Sequence, residues 1–140
     1  MWKDSSPGDP LPEIIKAIDQ DRINQWAEIS GDFNRLHVDP DFAKNTPFRG
    51  TIAHGPMSLA FLNELMMRWA GLSWTSGGRL LDVRFRAPVR PGERIRISGF
   101  VRERGQTGQG LFIKCEVFIE KANGDRAVVG WALVPLDMEG

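Results

Sequence analysis

Pro56-Met57-Ser58-Leu59-Ala60-Phe61-Leu62-Asn63-Glu64-Leu65-Met66-Met67-Arg68-Trp69-Ala70 decides the fold of this 140-residue chain. Leu59, Leu62, Met66, Met67 and Ala70 recur at helical spacing, and Phe61 and Leu65 widen the apolar face round the side. A helix apolar over most of its girth must be wrapped by something else. Gly71 and the Gly77-Gly78 pair punctuate its end.

The second half of the chain is strand-like. Leu81, Val83 and Phe85 alternate with Asp82, Arg84 and Arg86; Ile95, Ile97 and Val101 alternate with Arg94, Arg96 and Arg102. Leu111, Ile113, Cys115, Val117 and Ile119 form a third half-buried pattern. Residues 127–136 are apolar on both faces, as in a central strand. Turn signals at Arg90-Pro91-Gly92, residues 105–110 and Asn123-Gly124 suggest three or four hairpin-linked strands.

Upstream, residues 13–17 read as a first strand. Asp19 reads as the N-cap of a helix over 20–30 with Ile23, Trp26 and Ala27 on one side, and Gly31 as its stop. Residues 31–52 form a long connection with one short helix, Asp39 capping and Pro40 leading. Residues 1–12 read as a flexible lead-in and 13–140 as one domain. Helices first and strands after give an α+β domain, an antiparallel sheet packed on one long helix.

Lys plus Arg equal Asp plus Glu at 18 each, so the chain lacks the positive excess of a nucleic-acid binder. One cysteine excludes an intrachain disulfide, and two histidines fall short of a zinc cluster, so no metal is expected. Cys115 reads as a small core residue. No apolar run is long enough for a membrane span, and the first residues lack the core of a signal peptide, so the expected location is the cytoplasm.

Chemistry concentrates in Ser30-Gly31-Asp32-Phe33-Asn34-Arg35-Leu36-His37-Val38-Asp39. A carboxylate and an imidazole are what reversible hydration needs: one group takes a proton from water while another delivers one to carbon. Spacing alone favours Asp32 as a turn residue and His37 as a packing histidine. In Ile52-Ala53-His54-Gly55-Pro56, the Gly55 N–H opens the long helix at the positive end of its dipole, an oxyanion donor or a plain helix start. Asn63 shares a face with Leu59 and Met66 and needs polar partners, either the Asp32–His37 connection or nearby backbone. His54 lines the site or packs. Arg79, Arg84, Arg86 and Arg90 meet coenzyme A phosphates or populate a solvated face.

Together these segments resemble the R-specific enoyl-CoA hydratases of the MaoC-like dehydratase family. The resemblance rests on Ala27-Glu28-Ile29-Ser30-Gly31-Asp32-Phe33-Asn34, Leu36-His37-Val38-Asp39-Pro40, Phe42-Ala43 and Ile52-Ala53-His54-Gly55. It implies a hot-dog fold, with the sheet wrapped round the central helix, and a homodimer, or a pair of dimers, joined at sheet edges. It implies Asp32 and His37 as catalytic pair around a bound water, Gly55 as donor to the thioester carbonyl, and Asn63 and Asn34 as orienting residues. His54, Leu59 and Met66 are candidate pocket residues. It implies no metal or redox cofactor; coenzyme A, or acyl carrier protein, belongs to the substrate. The expected activity is (R)-specific hydration of a 2-enoyl thioester, or the reverse, with a hot-dog thioesterase or a non-catalytic acyl-thioester-binding subunit as alternatives. Two departures stand out. Arg35 replaces a frequent proline, so the loop is less rigid or reaches an anionic group; Pro56 replaces a usual methionine.

Overall fold

The computed structural model describes residues 1–136, so the last four of the expected domain lie outside the described residues. Strands β1 (Ile14–Ala17), β2 (Arg79–Phe85), β3 (Arg94–Thr107), β4 (Gly110–Lys121) and β5 (Arg126–Pro135) form one sheet in the order β1-β3-β4-β5-β2. Every neighbouring pair is antiparallel. Tight turns join β3 to β4 and β4 to β5, the second through Asn123-Gly124 with Gly124 at φ 91°, a conformation glycine adopts without steric cost. The alternation read in the sequence is the pleat: Ile97, Val101, Ile113, Cys115, Val117 and Ile119 are fully buried on the inner face. Burial pushes the Cys115 thiol up to about 12, so it is an inert core group.

β2 departs from expectation twice. It crosses to the far edge and pairs with β5 instead of forming a hairpin with β3. Its register also shifts between Leu81 and Arg84, where Asp82 takes φ 52°. An extra residue in one strand re-aims the side chains beyond it. Leu80, in place of the expected Leu81, therefore packs on the core with Val83, while Phe85 stays on the side of the long helix near Gly55 and is 55% exposed.

Helix α1 (Gln20–Ser30) begins and ends as its sequence dictates. The Asp19 carboxylate accepts the Arg22 N–H at 2.7 Å, and Gly31 closes the helix at φ 77°. The long helix α4 (Gly55–Ala70) carries Pro56 in its first turn and packs against β3, β4 and β5. This is the hot-dog arrangement of helix and antiparallel sheet. Its buried residues are Met57, Ser58, Leu62, Leu65, Met66 and Ala70, a face rotated toward Leu65 from the expected stripe, and Met67 is 44% exposed. A short helix α5 (Leu72–Gly77) comes next, between the glycines that read as punctuation, and buries Trp74.

The lead-in lies against the sheet. Residues 8–11 run beside β3, with Gly8 N–H donating to Val101 O, Val101 N–H to Asp9 O and Leu11 N–H to Gly99 O. Leu11 is buried, and Trp2 meets Trp69 of α4 at 5.1 Å. Turn-forming composition conceals this docking because backbone groups, not side-chain periodicity, supply the pairing. Among the described residues no helix is long and apolar enough to cross a membrane.

Candidate active site

Two four-residue helices, α2 (Arg35–Val38) and α3 (Pro40–Ala43), organise the connection between α1 and α4. Asp39 caps α3 as expected; the Phe42 N–H it accepts is the main cause holding its carboxyl below the usual carboxylate range. α2 is additional, and Asn34 builds it. The Asn34 N–H donates to Asp32 Oδ1 at 3.1 Å, while Asn34 Oδ1 accepts the Leu36 N–H at 3.0 Å. One asparagine thus ties the Asp32 carboxylate to the helix that carries His37. Arg35 donates through Nε to Asp39 Oδ2 and lies 4.4 Å over the Phe42 ring. It braces the two short helices.

The tautomers of both histidines follow from their partners. His37 Nδ1 lies 2.8 Å from Ile52 O, so it carries the hydrogen and leaves the Nε2 lone pair available. His54 Nε2 lies 3.0 Å from Asp32 O and is likewise a donor, while its Nδ1 is buried with no partner among the described residues. The rings stack at 3.9 Å between centroids with a 26° tilt. One functional atom from each of Asp32, His37 and His54 falls within 4.8 Å of the others. Such a set can attract a divalent cation, but the uncommitted His54 Nδ1 is buried, and stacked rings converge poorly on a shared ion. Proton transfer suits the geometry better.

His54 is 1% exposed, and desolvation holds its basicity below the ordinary histidine value despite the Asp32 carbonyl. Above about pH 6.5 it is neutral in both folded and unfolded chains; below that, the unfolded chain takes up the proton first, so stability falls with pH. Asp39 and Glu64, whose carboxyls are held low, act in the same direction only near and below their unfolded values of about 4. We expect the urea midpoint to drop between about pH 7 and pH 5 and to drop less in His54→Gln, which retains a donor but cannot ionise. Equal slopes in the two proteins would contradict this assignment.

His37 and Gly55 border the same cavity of about 340 Å³. Phe48, Ile52, Phe85, Val89 and Val128 give it apolar walls, and Ser58 and Arg86 add polar groups. No carbonyl among the described residues accepts the Gly55 N–H. The Asp32 side chain is exposed at the surface of this single chain.

Several candidates lie elsewhere. Asn63 sits on the exposed side of α4; its amide donates to Leu59 O and accepts the Trp74 indole N–H, each at 3.0 Å. It is satisfied by its own helix and α5, and makes no hydrogen bond to Asp32 or His37. Met66 is buried in the core and Leu59 is half-buried; neither borders the cavity, nor does His54, which supports the pair from behind. Of the four arginines, Arg86 alone borders it. Ser58, buried on α4 one turn beyond Gly55, lines the cavity and is not singled out by the sequence pattern. Its only signal is a small polar residue on the helix's apolar side.

The MaoC like domain family matches residues 4–114. A 3-hydroxyacyl-thioester dehydratase Z from Mycobacterium tuberculosis is 43% identical over 82 residues, covering 56% of this chain and 54% of its own length. An (R)-specific enoyl-CoA hydratase from Rhodospirillum rubrum is 31% identical over 98 residues, covering 65% of each. The chain thus spans about half the length of the first of these relatives and two thirds of the second. Among solved structures, the (R)-hydratase from A. caviae superposes with a TM-score of 0.76 at 26% identity over 95% of this chain and 98% of that one. R-Hydratase PhaJ1 from Pseudomonas aeruginosa gives 0.77 at 24%, covering 96% and 84%. With the family matched over most of its length and its fold shared with these hydratases, the chain belongs to the MaoC-like domain family.

Proposed function

We propose that this chain is a hydro-lyase that interconverts a 2-enoyl thioester and the (R)-3-hydroxyacyl thioester, with Asp32 and His37 as its catalytic pair. The observation that carries the reading is the convergence of Asp32, His37 and His54 within 4.8 Å, with His37, its Nδ1 bonded to Ile52 O, lining a cavity that also meets Gly55. In hydration, His37 Nε2 takes one proton from a water whose other hydrogen the Asp32 carboxylate accepts. The water oxygen bonds C3, the C2=C3 electron pair moves toward the thioester, and the Gly55 N–H stabilises the enolate-like oxygen. The proton on Nε2 then passes to C2. Water has been added and both side chains are restored; dehydration is the reverse.

The acyl group fits the apolar cavity, and coenzyme A or acyl carrier protein is the carrier. The resemblance to hydratases supports this substrate class. β2 is an edge strand with Phe85 exposed beside the cavity, an arrangement that suits a homodimer joined there and covering the mouth near Asp32. The test is a hydration assay with straight, branched and aryl 2-enoyl-CoA esters, following loss of enoyl absorbance and release of free thiol together. We expect absorbance to fall without thiol. Thiol release would make the chain a thioesterase; stoichiometric binding without turnover would make it an acyl-thioester-binding subunit.

A further inference from the structure

We propose that Gln20 and Thr51 form a clamp that fixes the His37 imidazole, making both of them positioning residues; the kinetic consequence, though not the clamp itself, rests on the hydratase reading above. Gln20 opens α1, whose start is set by the Asp19 cap. Its Nε2 donates to His37 O at 2.8 Å and to Asn24 Oδ1 at 2.9 Å, and its Oε1 accepts the Thr51 hydroxyl at 2.7 Å. Both amide hydrogens and the amide oxygen are therefore engaged.

The partners explain why an amide stands there. His37 O belongs to the four-residue helix α2, too short to supply an acceptor's partner one turn ahead, so the carbonyl needs an outside donor. Thr51 is 6% exposed, and its hydroxyl would be costly to leave unpaired. Thr51 precedes Ile52, whose carbonyl receives the His37 Nδ1–H and whose N–H donates to Leu36 O at 3.3 Å. The contacts close a ring: imidazole to Ile52, along the chain to Thr51, hydroxyl to Gln20, amide back to the His37 backbone. Donor and acceptor of the bond that sets the tautomer are thus held by one side chain. With that bond in place, Nε2 stays the unprotonated nitrogen of a ring that borders the cavity. The stack on His54 constrains the plane of the half-buried His37 ring but not which of its nitrogens carries the hydrogen.

The experiment compares the full chain with Gln20→Leu, Gln20→Glu, Thr51→Val, Thr51→Ser and the Gln20→Leu/Thr51→Val pair. Gln20→Glu can still accept from Thr51 but cannot donate to His37 O. We expect kcat to fall roughly tenfold in Gln20→Leu, Gln20→Glu and Thr51→Val with KM within about twofold, because positioning of a reacting group is lost and not substrate binding. Thr51→Ser keeps the hydroxyl and should retain wild-type kcat. The pair should lose no more than the worse single variant, since both break one ring. The readout that a merely structural role would leave unmoved is the side-chain ¹⁵N spectrum of His37. It should show one Nδ1–H tautomer in the wild type and a mixture in Gln20→Leu. Unchanged kcat, additive losses, or a fall in kcat with unaltered ring signals would overturn the clamp. If the wild type shows no hydratase turnover, that reading fails and the ring signals alone decide this one: a mixture supports the clamp, and a single tautomer in Gln20→Leu overturns it.

Discussion

Asp32→Asn and His37→Ala are each expected to lower kcat for enoyl-thioester hydration by about 10²–10⁴-fold, the range that a general acid–base group contributes. Asparagine keeps an oxygen for the Asn34 N–H that now binds Asp32 Oδ1, so the turn into α2 survives while the negative charge facing the water is lost. His37→Ala removes the free Nε2 and also the donor to Ile52 O. His37→Gln therefore belongs beside it, because its amide can still donate to that carbonyl yet cannot accept and pass on a proton at neutral pH. Melting curves decide whether the fold is intact: Asp32 is exposed and His37 half-buried, so neither change opens a cavity in the core. If either position kept near-full activity with folding unaffected, the pair would not be catalytic. Because the two groups act on one water, the Asp32→Asn/His37→Ala double variant should lose little more than the worse single one.

How far the sequence reveals this site depends on the range of the forces that set each part. Asp19, Gly31, Asp39 and Pro40 act through their own backbone neighbours, and each stands where the sequence places it. The alternation of Ile95, Ile97, Val101, Ile113 and Cys115 survives because a pleated strand has only two faces. α2 is invisible in the sequence because one turn of helix has no periodicity; only Asn34 as a cap announces it. The shift of face in β2 hangs on one residue, Asp82, in a left-handed conformation that no pattern of apolar residues encodes. Asn63 departs from expectation for a related reason. Which side of α4 faces the core depends on where β3, β4 and β5 lie, and the amide's true partner, Trp74, sits on a helix that the flanking glycines conceal. The motif locates the chemistry, yet it does not show that His54 donates to the Asp32 carbonyl while stacking on His37. Contacts that bridge 22 residues are set by the fold as a whole.

The second large effect is expected at Gly55. Removing its N–H should lower kcat by about 10²–10³-fold, as loss of one oxyanion donor does, while substrate binding changes far less. Gly55→Pro deletes the donor, and the residue before it already suits a proline: His54 is extended, φ −67° and ψ 140°, the region a residue before proline prefers. Proline also suits the first turn of a helix, where no intrahelical acceptor awaits the N–H. Gly55→Ala is the control, since it keeps the donor and its Cβ would meet the Phe85 ring at 3.4 Å, ordinary contact with a side chain that can give. Replacing the amide of residue 55 with a backbone ester removes the hydrogen without adding ring atoms and settles the matter if the proline variant folds poorly. A donor serving only to start the helix would leave the proline and ester variants with near-normal turnover, because a helix that begins with Pro56 in its first turn needs nothing from the preceding N–H. A donor serving the thioester oxygen would slow both and spare the alanine variant, because the charge that develops on that oxygen would then have lost its partner at the positive end of α4.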